Sequence, residues 1–367
     1  MRFILATFFI FMTTAGAASG AELQIKDAKT LKRVEKELSL RVANKHLIDQ
    51  GIAIDRSNEG ADAQLKNVST EDLLKALNRD EVSTIYGPDA RVEAIVASIL
   101  PMLTAAAAAG AAAADLEAKL TRNLDGVAGI VRDTQITFNG VDWNLTTETY
   151  KKKNNLCDGT KFQDEPVAPF CTAFLVAPRV LVTAGHCYND VRLDETRFVF
   201  GFRGDKEPFP KTFKNDDVYI GADLIRGSED YAIITLNRDV VGRAVLPVDR
   251  KTKVKATDAV YVIGHPAGLP LKYAPGAIIR SVGFERFTAN LDVLGGNSGS
   301  PVFLASTHDV IGMHTTGDDG YILVGDCHLL QECPTGSDCL GEGCLKAEFI
   351  PAPQIPALPP LSPPVQP

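Results

Sequence analysis

The strongest constraint on the fold of this chain is a series of short apolar runs, rich in β-branched residues, that begins after Gly126. Four of these runs occupy residues 180–183, 197–202, 232–236 and 259–263. They are separated by Gly, Pro, Asn and Asp, which favour turns. Many short strands at this spacing are typical of a β-sandwich or a β-barrel. The pattern therefore predicts that the chain after Gly126 is an all-β domain.

Residues 21–125 follow a helical pattern instead. Ser69 and Asp72 form a capping box ahead of a leucine-rich stretch. Residues 94–114 carry no charge, as in a membrane-spanning helix, but most of them are Ala, the best helix former, which gains little from lipid. We therefore predict a soluble helix that runs to about Leu124 and stops near Gly126.

The first twenty residues have the layout of an export signal. Arg2 is followed by an apolar stretch over residues 3–12 and by small residues over 13–21, the order found in secretory signal peptides. The apolar stretch is shorter than the ~20 residues that span a bilayer, so a retained anchor is the less favoured alternative. We predict a signal peptide over residues 1–20 and a secreted protein, extracellular or periplasmic, without membrane contact after signal removal.

Seven cysteines fit that location, because disulfides persist in an oxidising medium. An odd number leaves one cysteine free or paired with another chain. We interpret the cysteines near the C-terminus as disulfide staples of loops; they are Cys327, Cys333, Cys339 and Cys344. Zinc bound by Cys333, Cys339 and His328 is the alternative, but the spacing fits no familiar zinc finger. We therefore expect no metal.

Composition and net charge limit the kinds of binding partner that we expect. The 367 residues are 45% hydrophobic and 23% charged, ordinary values for a soluble globular protein. The formal net charge is −8, whereas nucleic-acid binding needs clustered Lys and Arg, so no nucleic-acid partner is expected. Residues 350–367 are dense in proline, which neither continues a helix nor donates within a sheet. We predict a disordered or polyproline tail there.

A candidate nucleophile, Ser298, lies in the stretch Gly-Gly-Asn-Ser-Gly-Ser-Pro-Val of residues 295–302. A serine hydroxyl is a weak nucleophile until a base removes its proton, and the oxyanion that forms must be stabilised. Glycines ahead of the serine leave backbone N–H groups unhindered, so those of Gly296 and Ser298 would form an oxyanion hole. For this stretch taken alone, an ordinary turn is the alternative.

A candidate base, His186, ends the β-rich run Val-Leu-Val-Thr-Ala-Gly-His-Cys of residues 180–187. Cys187 directly after it would fix the end of the strand. A disulfide from Cys187 to Cys171 would close a short loop, add up to ~3 kcal/mol of stability and hold the base still. A lone histidine is usually structural, but these flanking residues favour catalysis.

Asp230 begins the run Asp-Tyr-Ala-Ile-Ile-Thr-Leu of residues 230–236. A carboxylate at the mouth of a buried strand would accept the N–H of His186, select its tautomer and stabilise the imidazolium. Asp223 is the nearby rival, but it lacks an apolar strand that would bury and orient it. A turn aspartate without catalytic role is the alternative for Asp230 alone.

The order His186, Asp230, Ser298 is one of the few triad orders known, and it differs from that of α/β-hydrolases. The segments Thr-Ala-Gly-His-Cys, Asp-Tyr-Ala-Ile-Ile-Thr-Leu and Gly-Gly-Asn-Ser-Gly-Ser-Pro-Val resemble trypsin-like (chymotrypsin-fold) serine peptidases, in particular the bacterial glutamyl-endopeptidase branch. The resemblance covers residues 126–349. It implies an all-β fold of two six-stranded antiparallel β-barrels, with the active site between them.

The resemblance also implies the chemistry. Ser298 would be the nucleophile, His186 the general base and then acid, and Asp230 the orienting carboxylate in peptide-bond hydrolysis through an acyl-enzyme. Substrates would be proteins or peptides, and no cofactor is expected. A non-catalytic protease-like binding protein and an esterase with the same triad are the alternatives. His265, in a stretch that resembles the turn before the nucleophile loop of secreted bacterial members, is interpreted as structural.

Two departures from the family pattern bear on activation and specificity. Animal trypsins carry an aspartate directly before the nucleophile, which binds the new N-terminal ammonium on activation; Asn297 cannot form that ion pair. The helical residues 21–125 are therefore a candidate pro-segment, and a permanent domain is the alternative.

The specificity signals disagree. His314 resembles the histidine by which glutamyl endopeptidases hold an acidic side chain, and a histidine cation attracts a carboxylate. Those enzymes carry Thr or Ser where this chain has Val293, and Asp292 occupies the position that makes trypsins prefer Arg or Lys. An Asp292 that is turned away from the pocket and hydrogen-bonded locally would not set that basic preference, so we favour an acidic P1 side chain, Glu, with a basic one as the alternative.

Overall fold

The computed structural model describes residues 85–86, 89–95, 99, 111–204, 209–316, 320–333 and 347–356. The predicted signal peptide and the predicted capping box lie outside these residues, as do Cys339, Cys344 and the chain after residue 356. Among the described residues, no helix is both long and apolar enough to cross a membrane.

The first barrel-like sheet has seven strands. In spatial order they are β12 (Val218–Tyr219), β10 (Thr196–Phe200), β3 (Val127–Arg132), β8 (Cys171–Ala177), β9 (Val180–Ala184), β14 (Tyr231–Leu236) and β13 (Gly221–Arg226). A three-stranded sheet contains β11 (Thr212–Lys214), β5 (Asp142–Leu145) and β4 (Ile136–Phe138). Ile136 and Phe213 of this small sheet pack with Val131 and Val199 of the large one.

The second barrel closes on itself. Its spatial order is β15 (Ala259–Gly264), β18 (Pro301–Leu304), β19 (Val310–Thr316), β23 (Ala347–Pro351), β17 (Phe287–Ala289), β16 (Lys272–Val282) and β2 (Val92–Glu93). Because β15 also pairs with β16, six of these strands form a ring. The two barrel-like sheets confirm the predicted all-β fold, with seven strands in the first sheet rather than six.

The remaining elements are short. Two-stranded pairs are β1 (Ile85–Tyr86) with β22 (Glu332–Cys333), β20 (Tyr321–Val324) with β21 (Cys327–Leu330), and β6 (Glu148–Thr149) with β7 (Pro166–Val167). Helix α1 spans Ala111–Asp125, close to the predicted end at Leu124, and helix α2 spans Tyr150–Asn154.

Helix α1 packs on the barrels. Leu120 and Leu124 are buried in the main hydrophobic core. The Asn123 side-chain amide, fully buried, donates to Tyr261 Oη at 2.9 Å and to the His308 carbonyl at 2.8 Å, both in the second barrel. The change at residue 126 is therefore a change of secondary structure within one packed body.

Residues 89–95 are also built into the fold. Strand β2 pairs with β16, and the Ala94 N–H donates to the Leu271 carbonyl at 3.2 Å. Arg91 is fully buried and binds both carboxylate oxygens of Asp89, at 2.9 and 2.7 Å. A buried charge of this kind is stable only with its partner present, so these residues form a fixed part of the second barrel.

Strand β23 corrects the predicted C-terminal tail. Ile350 and Pro351 lie in this strand, between β19 and β17, and the chain continues into a short 3₁₀ helix, Ala352–Gln354. The prediction of a disordered tail is therefore wrong for residues 350–356. Proline is tolerated at the end of a strand and in the first turn of a helix, and Ile350 and Ile355 are fully buried.

The described residues contain two disulfides. Cys171 is bonded to Cys187, the pair weighed from the sequence. Cys327, expected to staple a loop, is bonded to Cys157, which lies 170 residues earlier. This second bond joins the loop after α2 to strand β21.

Substitutions on α1 test whether the helix packs on the barrels. Leu124→Ala should lower the free energy of unfolding by about 2–5 kcal/mol, because it removes a buried side chain from the core. Thr121→Ala, on the exposed side of the same helix, should change it by less than ~0.5 kcal/mol. Chemical denaturation of the full chain measures both values. Equal stability of the two variants would contradict the packing.

Candidate active site

Strand β9 positions the candidate base. All five of its residues are buried, and the strand leads into a 3₁₀ helix, Gly185–Tyr188, that contains His186. The Cys171–Cys187 disulfide attaches this helix to β8. The His186 side chain is 36% exposed, so the ring lies at the surface while its backbone is anchored in the first barrel.

Asp230 binds His186 at two points. The His186 N–H donates to Asp230 Oδ1 at 2.7 Å, and Nδ1 lies 2.9 Å from Oδ2. The Gly185 N–H donates to the Asp230 carbonyl at 3.0 Å, directly beside the β9–β14 pairing. With the proton on Nδ1, Nε2 is left free to accept a proton from a nucleophile. The structure brings these two predicted residues together.

The rival carboxylate lies elsewhere. Asp223 is on β13, exposed, and its Oδ1 accepts the N–H of Leu224 at 2.9 Å. Its local backbone contact and exposure do not suit a group that must orient an imidazole, so Asp230 is the better candidate.

Ser298 binds β8 at the residue after the disulfide cysteine Cys171. The Thr172 N–H donates to the Ser298 carbonyl at 2.8 Å. That carbonyl oxygen lies 3.9 Å from Cys187 Sγ, and the two disulfide sulfurs and a ring nitrogen of His186 all lie within 4.8 Å of one another. Ser298 is 8% exposed. The loop of the candidate nucleophile, in the second barrel, therefore lies next to the candidate base at the disulfide.

Glycine after Ser298 makes this approach feasible. Gly299 has a φ of +88°, and a Cβ there would lie 2.1 Å from the Thr172 carbonyl oxygen and 2.2 Å from Thr183 Oγ1. Only glycine fits such a close approach in this conformation. The loop thus packs directly on β8 and β9.

The predicted oxyanion donors are free to act. Within the described part of the chain, the N–H groups of Gly296 and Ser298 donate to no acceptor, whereas those of Asn297, Gly299 and Ser300 all do. Gly296 has a φ of +95°, and a Cβ there would lie 2.5 Å from the His265 carbonyl oxygen. Unpaired N–H groups on either side of Asn297 are what an oxyanion hole requires.

His314 is buried beside the candidate triad. It is 1% exposed, and its Nδ1 has no partner among the described residues. Burial, with a smaller contribution from the nearby His186, lowers the pKa of His314 to about 3, although a hydrogen bond to the backbone of Glu348 and the charge of Asp230 act in the opposite direction. The neutral imidazole is therefore the resting form.

Asp292 is engaged within the protein. It is 5% exposed, and its Oδ2 accepts the Ala90 N–H at 2.9 Å. Val293 is fully buried. The donor Ala90 gives no sequence signal, because a backbone N–H is present in every residue except proline; sequence reasoning missed it for that reason.

His265 has the contacts of a structural residue. It is 1% exposed, and its Nδ1 lies 2.9 Å from the Leu269 carbonyl oxygen. Burial lowers the pKa of His265 to about 4. Its ring stacks on Phe202 with centroids 6.1 Å apart.

One group of potential metal ligands stands out in the described residues: Cys171, His186 and Cys187. Both sulfurs are joined in the disulfide, so neither is a thiolate that would bind a metal. The alternative zinc ligand His328 has its Nδ1 2.8 Å from the Asn154 carbonyl oxygen.

Comparisons with known structures give distant matches. Vibrio cholerae VesB protease is 12% identical, with 62% of this chain and 61% of that chain covered and a TM-score of 0.39. Rv3671c of M. tuberculosis, solved in an inactive form, is 13% identical, with coverages of 65% and 86% and a TM-score of 0.37. Human heparin binding protein is 12% identical, with coverages of 64% and 88% and a TM-score of 0.38.

Sequence comparison is more specific. The curated protein sequences give no significant match. Residues 171–313, however, match the trypsin-like peptidase domain. The match begins at the disulfide cysteine Cys171 and includes His186, Asp230 and Ser298. Over residues 171–313 the chain is therefore similar to the trypsin-like peptidase domain, and the glutamyl-endopeptidase branch stays a prediction.

Proposed function

We propose that this protein is a secreted serine endopeptidase that hydrolyses proteins or peptides with a triad of His186, Asp230 and Ser298. The observation that carries the proposal is the double contact between His186 and Asp230, at 2.7 and 2.9 Å, beside the Ser298 loop. This contact fixes both the position and the tautomer of the imidazole, as a general base requires.

The proposed reaction uses these groups in order. His186 Nε2 takes the proton of Ser298 as the hydroxyl attacks the scissile carbonyl, and the oxyanion is held by the N–H groups of Gly296 and Ser298. His186 then gives the proton to the leaving amine. Water, activated by the same imidazole, hydrolyses the acyl-enzyme. Each donor of the oxyanion hole contributes about 100- to 1000-fold in rate.

Export is supported by two features. The predicted signal peptide occupies residues 1–20. The described residues also contain two disulfides, which persist in oxidising compartments.

Activation is proposed to differ from that of animal trypsins. Asn297 is 1% exposed, and its Oδ1 accepts from Ser300 Oγ at 3.2 Å, so a neutral amide occupies the place of the ammonium-binding aspartate. Because residues 89–95 and α1 pack into the barrels, we place any removable pro-segment before Asp89. The rest of the N-terminal region would stay in the mature enzyme.

An acidic P1 side chain fits the specificity residues best. The Asp292 carboxylate already accepts from Ala90 and is nearly buried, which makes it a poor partner for a substrate cation. The unpaired Nδ1 of His314 would bind a substrate carboxylate, whose negative charge favours protonation of the imidazole.

The triad predicts a specific pattern of activity loss. Ser298→Ala should lower kcat by about a million-fold, and Asp230→Asn by about ten-thousand-fold, because the amide stabilises the wrong tautomer of His186. Casein hydrolysis and labelling by a fluorophosphonate probe measure both effects. Casein cleavage by Ser298→Ala at the wild-type rate would exclude the triad, and an unlabelled, inactive wild-type protein would favour a binding role.

The P1 assignment predicts a preference between matched peptides. A peptide with Glu at P1 should be cleaved with kcat/KM at least ~10-fold above its Lys counterpart. Asp292→Asn should keep this preference, because the side chain serves an internal contact. Mass spectrometry of products from a mixed peptide library reports the preference directly. Efficient cleavage after Lys or Arg that Asp292→Asn abolishes would support the basic alternative.

Burial of His314 predicts a pH dependence of stability. Its folded pKa of about 3 lies below the unfolded value near 6.5, so the unfolded chain binds more protons between these pH values. Its contribution to stability is complete above pH 6.5 and declines by ~1.4 kcal/mol per pH unit on acidification toward pH 3.

His314→Asn removes this titrating group. The free energy of unfolding of the wild type, minus that of the variant, should fall by ~1.4 kcal/mol between pH 6 and pH 5. Urea denaturation at the two pH values measures the difference, and other titrating groups cancel because both proteins contain them. A constant difference would show that His314 is not held neutral.

A further inference from the structure

We propose that the Thr172 hydroxyl is a positioning group for the oxyanion hole, an inference that rests on the serine-peptidase function proposed above. Thr172 is fully buried on β8, next to Cys171 of the disulfide. Its backbone N–H binds the Ser298 carbonyl, as described. Its side chain makes separate contacts that the triad chemistry does not require.

The hydroxyl bridges two loops of the second barrel. Thr172 Oγ1 donates to the Gly296 carbonyl at 2.8 Å. The same oxygen accepts the His265 N–H at 3.1 Å. It therefore connects the nucleophile loop to the loop of residues 264–270, and it does so from a strand of the first barrel.

These contacts fix the peptide planes around Gly296. The Gly296–Asn297 peptide is held at its carbonyl by Thr172 and at its N–H by the Leu294 carbonyl, at 2.9 Å. The preceding peptide is held at the Gly295 carbonyl by the Ala267 N–H, at 2.5 Å. Because N–H and C=O point in opposite directions across a trans peptide, this bond directs the Gly296 N–H away from Ala267, where it stays unpaired.

The orientation of the Gly296 N–H depends on hydrogen bonds to the neighbouring groups, because glycine itself is flexible. Gly296 has a φ of +95°, and glycine populates positive and negative φ about equally, so its own conformation does not hold the N–H in place. Without the hydroxyl, the Gly296 carbonyl and the His265 N–H would both lose their partner, and a buried polar group without a hydrogen bond is unfavourable. Both loops would then shift to recover hydrogen bonds.

Thr183 is the natural control. Its side chain is also fully buried, on the adjacent strand β9, and its Oγ1 donates to the Thr172 carbonyl at 2.7 Å. Loss of the Thr183 hydroxyl removes a hydrogen bond between β9 and β8. It leaves the contacts of Thr172 Oγ1 with Gly296 and His265 intact.

The test compares Thr172→Val, Thr172→Ser and Thr183→Val in the full, processed protein. Thr172→Val should lower kcat by about 10- to 100-fold with less than ~threefold change in KM, because the loss is confined to the transition state. Thr172→Ser retains the hydroxyl and should restore kcat to within ~threefold, and Thr183→Val should lower it by less than ~threefold. The melting temperature of each variant measures the separate effect on stability.

A transition-state analogue separates positioning from general damage. A peptidyl trifluoromethyl ketone adds to a catalytic serine and forms an oxyanion, so its affinity should fall in Thr172→Val by the same factor as kcat/KM. If Thr172→Val does not fold, Thr172→Ala removes the same hydroxyl without adding a methyl group. Wild-type kcat in the folded variant, or equal kcat losses in Thr172→Val and Thr183→Val, would overturn the proposal.

The experiment also distinguishes an error in the proposed serine-peptidase function from an error in the role of Thr172. If wild-type protein neither cleaves peptides nor reacts with a fluorophosphonate, the serine-peptidase function is wrong and the role of Thr172 falls with it. If the wild type reacts and Thr172→Val reacts at the same rate, only the positioning role is wrong.

Discussion

The proposed site depends on one pair of adjacent residues. Cys171 and Thr172 of β8 are bonded to the helix of His186 and to the loop of Ser298. The proposed base, His186, and the proposed nucleophile, Ser298, come from different barrels, so no local sequence rule holds them together. Cys171 binds the helix of His186 through the disulfide, and Thr172 binds the backbone of Ser298 at 2.8 Å. A catalytic site must be held within a fraction of an ångström of its working geometry, and two adjacent residues hold both parts of the proposed one.

A buried ion pair binds residues 89–95 to the second barrel. The Lys272 ammonium, 1% exposed, pairs with Glu93 of β2 and with Glu165 at 2.5 Å. Burial raises the pKa of Glu165 to about 7, although Lys272 acts in the opposite direction. Removing one member of a buried ion pair leaves an uncompensated charge. Loss of residues 89–95 would therefore disturb the second barrel, which is why the proposed pro-segment ends before them.

Two of the predicted site residues lie at the ends of strands, where a sequence motif and a structural element coincide. His186 follows β9, Asp230 precedes β14, and the structure joins them. The sequence does not predict contacts that leave no local pattern, such as the hydrogen bond between Ala90 and Asp292, which are 202 residues apart. Connectivity among several cysteines is likewise undetermined by sequence. Proline density misled at residue 350, because burial of Ile350 between two strands outweighs it.

Backbone strain at the site shows how the fold supports it. Asp230 and Ala267 have φ values of +65° and +56°, a conformation that costs roughly 1 kcal/mol or more for residues with a Cβ. Both contact the proposed machinery: Asp230 binds His186, and the Ala267 N–H binds the Gly295 carbonyl. Each strained residue is also held by a strand or loop of its own barrel. The strain is thus maintained by tertiary contacts, which keeps the polar groups oriented before a substrate arrives.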